Sequence, residues 1–131
     1  MKQIQVVKAV IKNGDKFLVS LRSPDAKFFP EHWGFAGGKL EEGEDPVDGI
    51  EREVFEETTL KVKALEVVGV YELDIAKDGV KIPHRFTLYS TEIISGDVKL
   101  NDEHLEFRWA VKEEILKLKT EPYIGLYFKK T

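Results

Sequence analysis

The chain has 131 residues, 42% of them hydrophobic, with two Trp and eight Phe, and this suits one domain (1–131) able to bury a core. The formal net charge of −4 is local, because residues 41–57 carry nine carboxylates against Arg52, a sum of −8, and the remainder carries +4. No basic stripe is evident, so a nucleic-acid polymer is not an expected partner.

The composition also restricts compartment and metal chemistry. No apolar run approaches the roughly 20 residues of a membrane span, and the opening MKQIQVVKAVIKNGD lacks the apolar segment and cleavage site of a signal peptide. We therefore expect a cytoplasmic protein with no membrane partner. The absence of cysteine excludes disulfides, thiolate metal sites and a cysteine nucleophile, which leaves oxygen and imidazole ligands and favours a hard cation.

The first predicted elements are a hairpin, a short strand and a helix. IQVVKAVIK and KFLVSLR flank the turn signal Asn13-Gly14-Asp15 and predict a β-hairpin. A loop follows, with a short strand near Trp33 to Ala36. Asp45-Pro46 then supplies an N-cap followed by proline at the first helical position, and predicts a helix that runs to about Thr58.

The second half of the chain is rich in strands. VKALEVVGVYELDI and HRFTLYSTEII are predicted strands separated by the turn-forming Asp78-Gly79, and LEFRWAV is a further strand followed by a short helix in KEEILKLK. Strands combined with two separated helices predict an α/β sandwich, with a mixed sheet covered on both faces.

The predicted helix has two unlike faces. At about 100° per residue, Val47, Ile50, Val54 and Thr58 fall on one stripe, and Glu53, Glu56 and Glu57 fall on the opposing side. One interpretation is an ordinary amphipathic helix with a solvated polar face. The other is a site for Mg²⁺ or Mn²⁺, because no lysine relieves the carboxylates and both ions prefer oxygen ligands.

The spacing around this helix resembles the Nudix box, G-x5-E-x7-R-E-U-x-E-E-x-G-U, where U is apolar. Gly38, Glu44 and the run Arg52-Glu53-Val54-Phe55-Glu56-Glu57-Thr58-Thr59-Leu60 match eight of its nine specified positions. The approach Trp33 to Lys39 and the later segment Asp102 to Glu106 also resemble family features. The resemblance implies a Nudix-type α/β/α sandwich.

The mismatch is Thr59, where the family carries glycine just past the helix. Glycine suits a left-handed cap, and a β-branched residue is strained in that conformation. The turn therefore has another geometry or Thr59 carries strain. In the second case we expect Thr59→Gly to raise stability.

Similarity to Nudix hydrolases, and to MutT-like members in particular, implies Mg²⁺-dependent hydrolysis of a nucleoside diphosphate linked to a moiety X. It implies Glu53, Glu56 and Glu57 as metal ligands, the carbonyl of Gly37 or Gly38 as a further ligand, and Arg52 as the residue that orients carboxylates. Lys39 is expected to meet a substrate phosphate. The general base is expected to be Glu53, with Glu103 as the rival, and both are also candidate metal ligands. His104 is expected to be a surface residue.

Substrate-binding candidates lie outside the box. Phe28, Phe29, Trp33 and Phe35 are aromatic faces that either stack a base or pack in the core, and Arg22 is a candidate for phosphate or base-edge contact. Thr120 stands where MutT-type members that remove oxidised guanine nucleotides use an Asn to read the purine.

The favoured function is hydrolysis of a nucleoside triphosphate by a monomer or homodimer. The alternatives are an ADP-ribose or nucleotide-sugar pyrophosphatase, a catalytically inactive nucleotide-binding Nudix module, and a protein-interaction domain with an acidic docking helix.

Overall fold

The computed structural model describes residues 2–129. The strands are β1 (Ile4–Val10), β2 (Lys12–Asn13), β3 (Lys16–Arg22), β4 (Trp33–Gly34), β5 (Ala36–Lys39), β6 (Lys61–Lys77), β7 (Val80–Ser95) and β8 (His104–Ala110), and the helices are α1 (Pro46–Thr58), α2 (Lys112–Ile115) and α3 (Pro122–Lys129). None of the helices in this range has the length and apolar character needed to traverse a lipid bilayer.

The strands form two four-stranded sheets. The first is mixed, in the order β5-β1-β7-β6, with β1 parallel to β7 and the other neighbours antiparallel. In the second, β3 pairs antiparallel with β2, β4 and β8. The predicted turn at Asp78-Gly79 joins β6 to β7, and both of its residues have positive φ, as a two-residue hairpin loop requires.

Alternation along β1 shows that both faces of the mixed sheet are covered. Val6 and Val10 pack in the cluster that contains the buried residues of α3, whereas Val7 and Ala9 pack in the cluster that contains the buried face of α1. Lys8 has the parity of Val6 and Val10, and it is itself buried. The predicted α/β sandwich with a mixed sheet is therefore confirmed.

Helix α1 begins and ends where the sequence predicted. The Asp45 carboxylate accepts a hydrogen bond of 3.2 Å from the Asp48 amide, and Pro46 occupies the first turn, where it loses no helical hydrogen bond. Ile50 and Val54 are fully buried against the sheet. Glu56 on the opposite flank is exposed, as predicted, but Glu57 is buried and Val47 of the predicted packing stripe is exposed, so the two faces of α1 divide differently from the prediction.

Thr59 adopts the left-handed conformation at the end of α1, with φ 62° and ψ 4°. Of the two predicted alternatives, strain at Thr59 is the one that the structure shows. The Thr59 hydroxyl also donates a 2.6 Å hydrogen bond to the Asp97 carbonyl, which the sequence did not reveal. This bond offsets part of the backbone cost, so a gain in stability is no longer the expected result of Thr59→Gly alone.

A pair of substitutions separates the two effects at Thr59. Both Thr59→Gly and Thr59→Ala remove the hydrogen bond to Asp97, but only glycine relieves the left-handed backbone. We expect the glycine variant to exceed the alanine variant by about 1 kcal/mol in the free energy of unfolding, measured in urea. Equal stabilities would contradict strain at this position.

Four sequence predictions need correction. The hairpin across Asn13-Gly14-Asp15 is shorter than predicted, because only β2 pairs with β3, whereas β1 pairs with β5 and β7 in the other sheet. The segment near Trp33 to Ala36 forms two strands in different sheets, because β4 pairs with β3 and β5 pairs with β1. Helix α2 ends at Ile115, earlier than predicted. Helix α3 was not predicted, and its apolar residues Tyr123, Ile124 and Phe128 complete the core beneath the mixed sheet.

Candidate active site

Glu53, Glu56 and Glu57 of α1 form the acidic flank. Glu57 is the most enclosed of these carboxylates, with its side chain 5% exposed. Its Oε1 accepts a 3.2 Å hydrogen bond from the Gly37 amide and lies 3.3 Å from Nε2 of His104. The other ring nitrogen of His104, Nδ1, is hydrogen-bonded to the Ser20 hydroxyl at 3.0 Å. Strands β3, β5 and β8 therefore all contribute to holding Glu57.

His104 does not lie on the surface, contrary to the sequence prediction. It begins β8, where it pairs with Arg22 of β3, and its buried ring contacts Ser20 and Glu57. The Nε2 atom of His104 is buried and has no hydrogen-bond partner among residues 2–129. A buried polar atom in this condition calls for a ligand or a charge nearby, and the closest charge is Glu57.

The pKa values of Glu53 and Glu57 shift in opposite directions although the two residues lie one turn apart. Burial raises the pKa of Glu53 to about 8, and the hydrogen bond and negative charge of Glu57 add to that rise, whereas Arg52 opposes it. Burial would also raise the pKa of Glu57, but contact with His104 and the positive charge of Lys8 outweigh it and lower the pKa. Without a cation the pair retains a proton, and a divalent ion would displace that proton.

Two glycines in β5 allow the acidic flank to approach the sheet. A Cβ atom at Gly38 would lie 2.7 Å from Glu53 Oε2, so the carboxylate of Glu53 rests directly on the Gly38 backbone. Gly37 has φ 147°, and a Cβ there would lie 2.0 Å from the Val7 carbonyl oxygen. Gly38 therefore sets the distance between β5 and Glu53, and Gly37 sets the distance between β5 and β1.

Arg52 is the centre of an ion-pair network that orders the flank. Its guanidinium contacts Glu44 through two nitrogens, at 2.8 and 3.0 Å. It also donates to Glu56 at 2.8 Å and lies 3.3 Å from Glu53. The hydrogen bond from Arg52 holds the pKa of Glu44 below its usual value. Arg52 thus joins Glu44, Glu53 and Glu56 in one network, and its orienting role stays a prediction.

The candidate metal ligands fall into two groups. Ligand atoms of Glu57, Glu103 and His104 all lie within 4.8 Å of one another. Glu53 adjoins Glu57, whereas Glu56 is half-exposed and turned toward Arg52. The oxygen-rich donor set of the four glutamates fits a divalent cation, and His104 contacts Glu57. Apart from His104, these are the side chains that the sequence singled out.

A cavity of about 310 Å³ lies beside β5. It is lined by Ile4, Val6, Lys8, Arg22, Lys27, Phe28, Phe29, Gly38, Lys39, Ile82, His84, Phe86 and Glu121. Gly38 and Lys39 connect it to the acidic flank. Arg22 lines the wall, and its Nε donates to the Phe28 carbonyl at 2.9 Å.

The structure contradicts the predicted substrate-binding roles of Phe35 and Thr120. Phe35 is 1% exposed and packs against Phe17 and Tyr123 in the core, so its ring is not available to stack a base. Trp33, from the same aromatic group, is also buried in the core. Thr120 pairs with Trp33 as an isolated bridge and does not line the cavity.

Sequence reasoning missed Lys8 and Glu121, which form a buried ion pair of 3.2 Å in the cavity. Glu121 directly follows Thr120, so the late segment reaches the cavity one residue further along than predicted. A lysine within the apolar run of β1 was the available signal, because a lysine is almost never fully buried without a partner.

Comparison with known proteins identifies the class. The family model described as the NUDIX domain matches residues 2–129. The chain therefore belongs to the Nudix family, a class of hydrolases that act on phosphoric anhydride bonds, and the resemblance seen in the sequence is confirmed.

Relatives and solved structures agree with this assignment. The nucleoside triphosphatase NudI of Escherichia coli O81 (strain ED1a) is 27% identical over 123 residues, covering 88% of this chain and 87% of the relative. The crystal structure of the MutT protein from Methanosarcina mazei Go1 has a TM-score of 0.85 at 25% identity, covering 98% of this chain and 94% of that one. The solution structure of the E. coli ORF135 protein has a TM-score of 0.78 at 27% identity, covering 98% and 88%.

Family membership also sets the general chemistry. Nudix hydrolases generally use a divalent metal ion and act on small nucleotide substrates. The acidic cluster at Glu57, Glu103 and His104 is consistent with such an ion.

Proposed function

We propose that this chain is a Mg²⁺-dependent pyrophosphohydrolase that cleaves a nucleoside triphosphate, with Mn²⁺ able to replace Mg²⁺. The observation that carries the proposal is the contact of Glu53 with Gly38 and of Glu57 with Gly37, at the edge of a cavity large enough for a nucleobase. The acidic flank would hold the phosphates through metal, and the cavity would hold the base.

Glu53, Glu56, Glu57 and Glu103 would hold the metal, together with the Gly38 carbonyl. When bound, the ion supplies charge neutralisation at the phosphate oxygens and acidifies a bound water molecule. Glu56 would leave Arg52 to reach the ion, which its exposed position permits. His104 would keep Glu57 oriented from behind.

The side chains have separate tasks in this proposal. Glu53 takes the proton of the attacking water as a new bond to phosphorus forms and the phosphoanhydride bond breaks, and Glu103 is the rival for that task. Arg52 is a positioning residue, because it acts through Glu44, Glu53 and Glu56. Lys39, at the exposed end of β5, neutralises a substrate phosphate, and Arg22 contacts the nucleotide inside the cavity.

The proposed substrate class is supported by the relatives. NudI is named a nucleoside triphosphatase, and the overall similarity to it extends over most of both chains. We further propose that the enzyme is cytoplasmic and works as a monomer or homodimer.

A panel of nucleotides tests this function. Oxidised and normal triphosphates, ADP-ribose, dinucleoside polyphosphates and nucleotide sugars are incubated with and without Mg²⁺, and the products are resolved by chromatography. Mg²⁺-dependent conversion of a triphosphate to a monophosphate and pyrophosphate is the expected result. Cleavage of ADP-ribose or nucleotide sugars with no cleavage of triphosphates would overturn the substrate class, and binding without any cleavage would indicate an inactive module.

A further inference from the structure

The cavity contains a buried ion pair between Lys8 and Glu121. The side chains of Lys8 and Glu121 are 5% and 2% exposed, and Nζ lies 3.2 Å from Oε1. Removing two charges from water costs several kcal/mol per ion, and an apolar pair of similar volume is often as stable. A cavity that retains such a pair is suited to a ligand that uses one of its charged groups.

Lys8 has no donor left for a ligand. Its ammonium group donates to the carbonyl oxygens of Phe35, at 3.3 Å, and Gly37, at 3.5 Å, and contacts Oε1 of Glu121. An ammonium group has three N–H bonds, and these three acceptors account for all of them. Lys8 therefore holds Glu121 in place and offers the cavity no further N–H group.

Glu121 has one carboxylate oxygen to spare. Oε1 accepts a 2.7 Å hydrogen bond from the Tyr123 hydroxyl in addition to the contact with Lys8. Oε2 accepts no hydrogen bond from any residue in the range 2–129. The carboxylate lies against the backbone of Gly34, where an added Cβ would be 2.4 Å from Oε2. Because Glu121 lines the cavity and its Oε1 is already occupied, Oε2 is the acceptor that this side chain offers there.

His84 adds a second acceptor to the same cavity. Its Nδ1 lies 2.8 Å from the Ile82 carbonyl, which only accepts, so Nδ1 donates there, and in that tautomer Nε2 is an acceptor. The ring stacks on Phe86, and Phe28 meets it edge-on. The polar groups of the cavity are therefore surrounded by aromatic faces that suit a planar ring.

We infer that Glu121 is a specificity-determining residue that selects nucleobases carrying an exocyclic amino group, such as cytosine or adenine. The inference rests on the proposed nucleotide hydrolase function. An amino N–H donates to Oε2, whereas a carbonyl at the same place directs a lone pair at the carboxylate. The ring N–H of uracil lies between two carbonyls, so its approach to Glu121 brings the same repulsion.

Glu121→Gln reverses the hydrogen-bonding character of this position. Because Lys8 and Tyr123 both donate to the Oε1 position, the amide oxygen has to occupy it, and the amide NH₂ then takes the place of Oε2. The acceptor becomes a donor without a change in shape. The matched probes are CTP with UTP and ATP with ITP, since each pair exchanges an amino group for a carbonyl on a ring of the same size.

The measured quantity is the ratio of kcat/KM within each pair. For the wild type we expect the amino member to be favoured by at least about tenfold in the pair that the cavity admits, and Glu121→Gln to lower that ratio by at least about tenfold. Glu113→Gln, the same chemical change at an exposed position on α2, should leave the ratio unchanged.

Binding of methylene-bridged, non-hydrolysable analogues in the presence of Mg²⁺ separates this inference from the proposed function. Selective binding without turnover would overturn the function and support the role of Glu121. Turnover or binding that treats both members of both pairs alike, within about twofold, would overturn the role of Glu121 and leave the function standing. If Glu121→Gln fails to fold by circular dichroism, the wild-type ratios decide.

Discussion

Glu53→Gln is expected to lower kcat by at least about a hundredfold, because an amide neither accepts the proton of the attacking water nor supplies a charged metal ligand. The fold should survive. Burial and Glu57 raise the pKa of Glu53 from 4.5 to about 8, so between these pH values folding requires this carboxyl to take up a proton, and the stability falls as the pH rises. A neutral amide removes this loss of stability. The thermal unfolding temperature of the variant at pH 7, without metal, should equal or exceed that of the wild type.

Two further variants make this result specific. Glu42→Gln, at an exposed position in the loop before α1, removes the same charge from the acidic segment and should leave kcat unchanged. Glu103→Gln tests the rival base, and the variant with the larger loss of kcat identifies the residue that takes the proton. More than a tenth of the wild-type rate in Glu53→Gln would contradict its assignment.

Gly37→Ala is expected to be the most destabilising substitution near the site, at about 3 kcal/mol or more in urea unfolding. The added Cβ would lie 2.0 Å from the Val7 carbonyl oxygen and 2.8 Å from the Lys8 Cα, both backbone atoms of β1. The two strands would have to separate, and the hydrogen bond from the Gly37 amide to Glu57 would be lost with them.

Gly43→Ala is the matched control for this effect. Gly43 also has positive φ, at 77°, but an added Cβ there meets nothing within 4 Å. It should cost only about 1 kcal/mol, the price of the backbone conformation itself. Similar losses in the two variants would contradict a steric requirement at Gly37.

Local signals in the sequence were sufficient for the bounds of α1 and for part of its acidic side. Asp45-Pro46 predicted the start of the helix, and the 3.6-residue period placed the exposed Glu56 opposite the buried Ile50. The same period misplaced Glu57, which is buried beside Ile50 because seven residues turn the helix by about 700°. The α/β class followed from the alternation of strand and helix patterns.

The features that the sequence did not reveal depend on distant parts of the chain. Lys8 and Glu121 are 113 positions apart, and nothing local to either residue indicates the other. His104 is buried because β8 pairs with β3, a long-range contact. Phe35 belongs to the core because Tyr123 and Phe128 of α3 pack against it.

Helix α3 was missed for a different reason. Its segment PYIGLYFK is apolar on most sides, so it has no clear helical period. Pro122 at the first helical position was the available local signal, since proline is favoured there. Recognition of that signal would have placed Glu121 at the entrance of a helix beneath the sheet.

The central claim is that the carboxylates of α1 bind a divalent ion, and anomalous diffraction from crystals grown with Mn²⁺ tests it most directly. We expect a manganese peak within bonding distance of Glu57 and Glu53, with Glu56 released from Arg52. The absence of a manganese peak at Glu53 and Glu57 in crystals grown with millimolar Mn²⁺, with Glu56 still paired with Arg52, would contradict metal binding by α1.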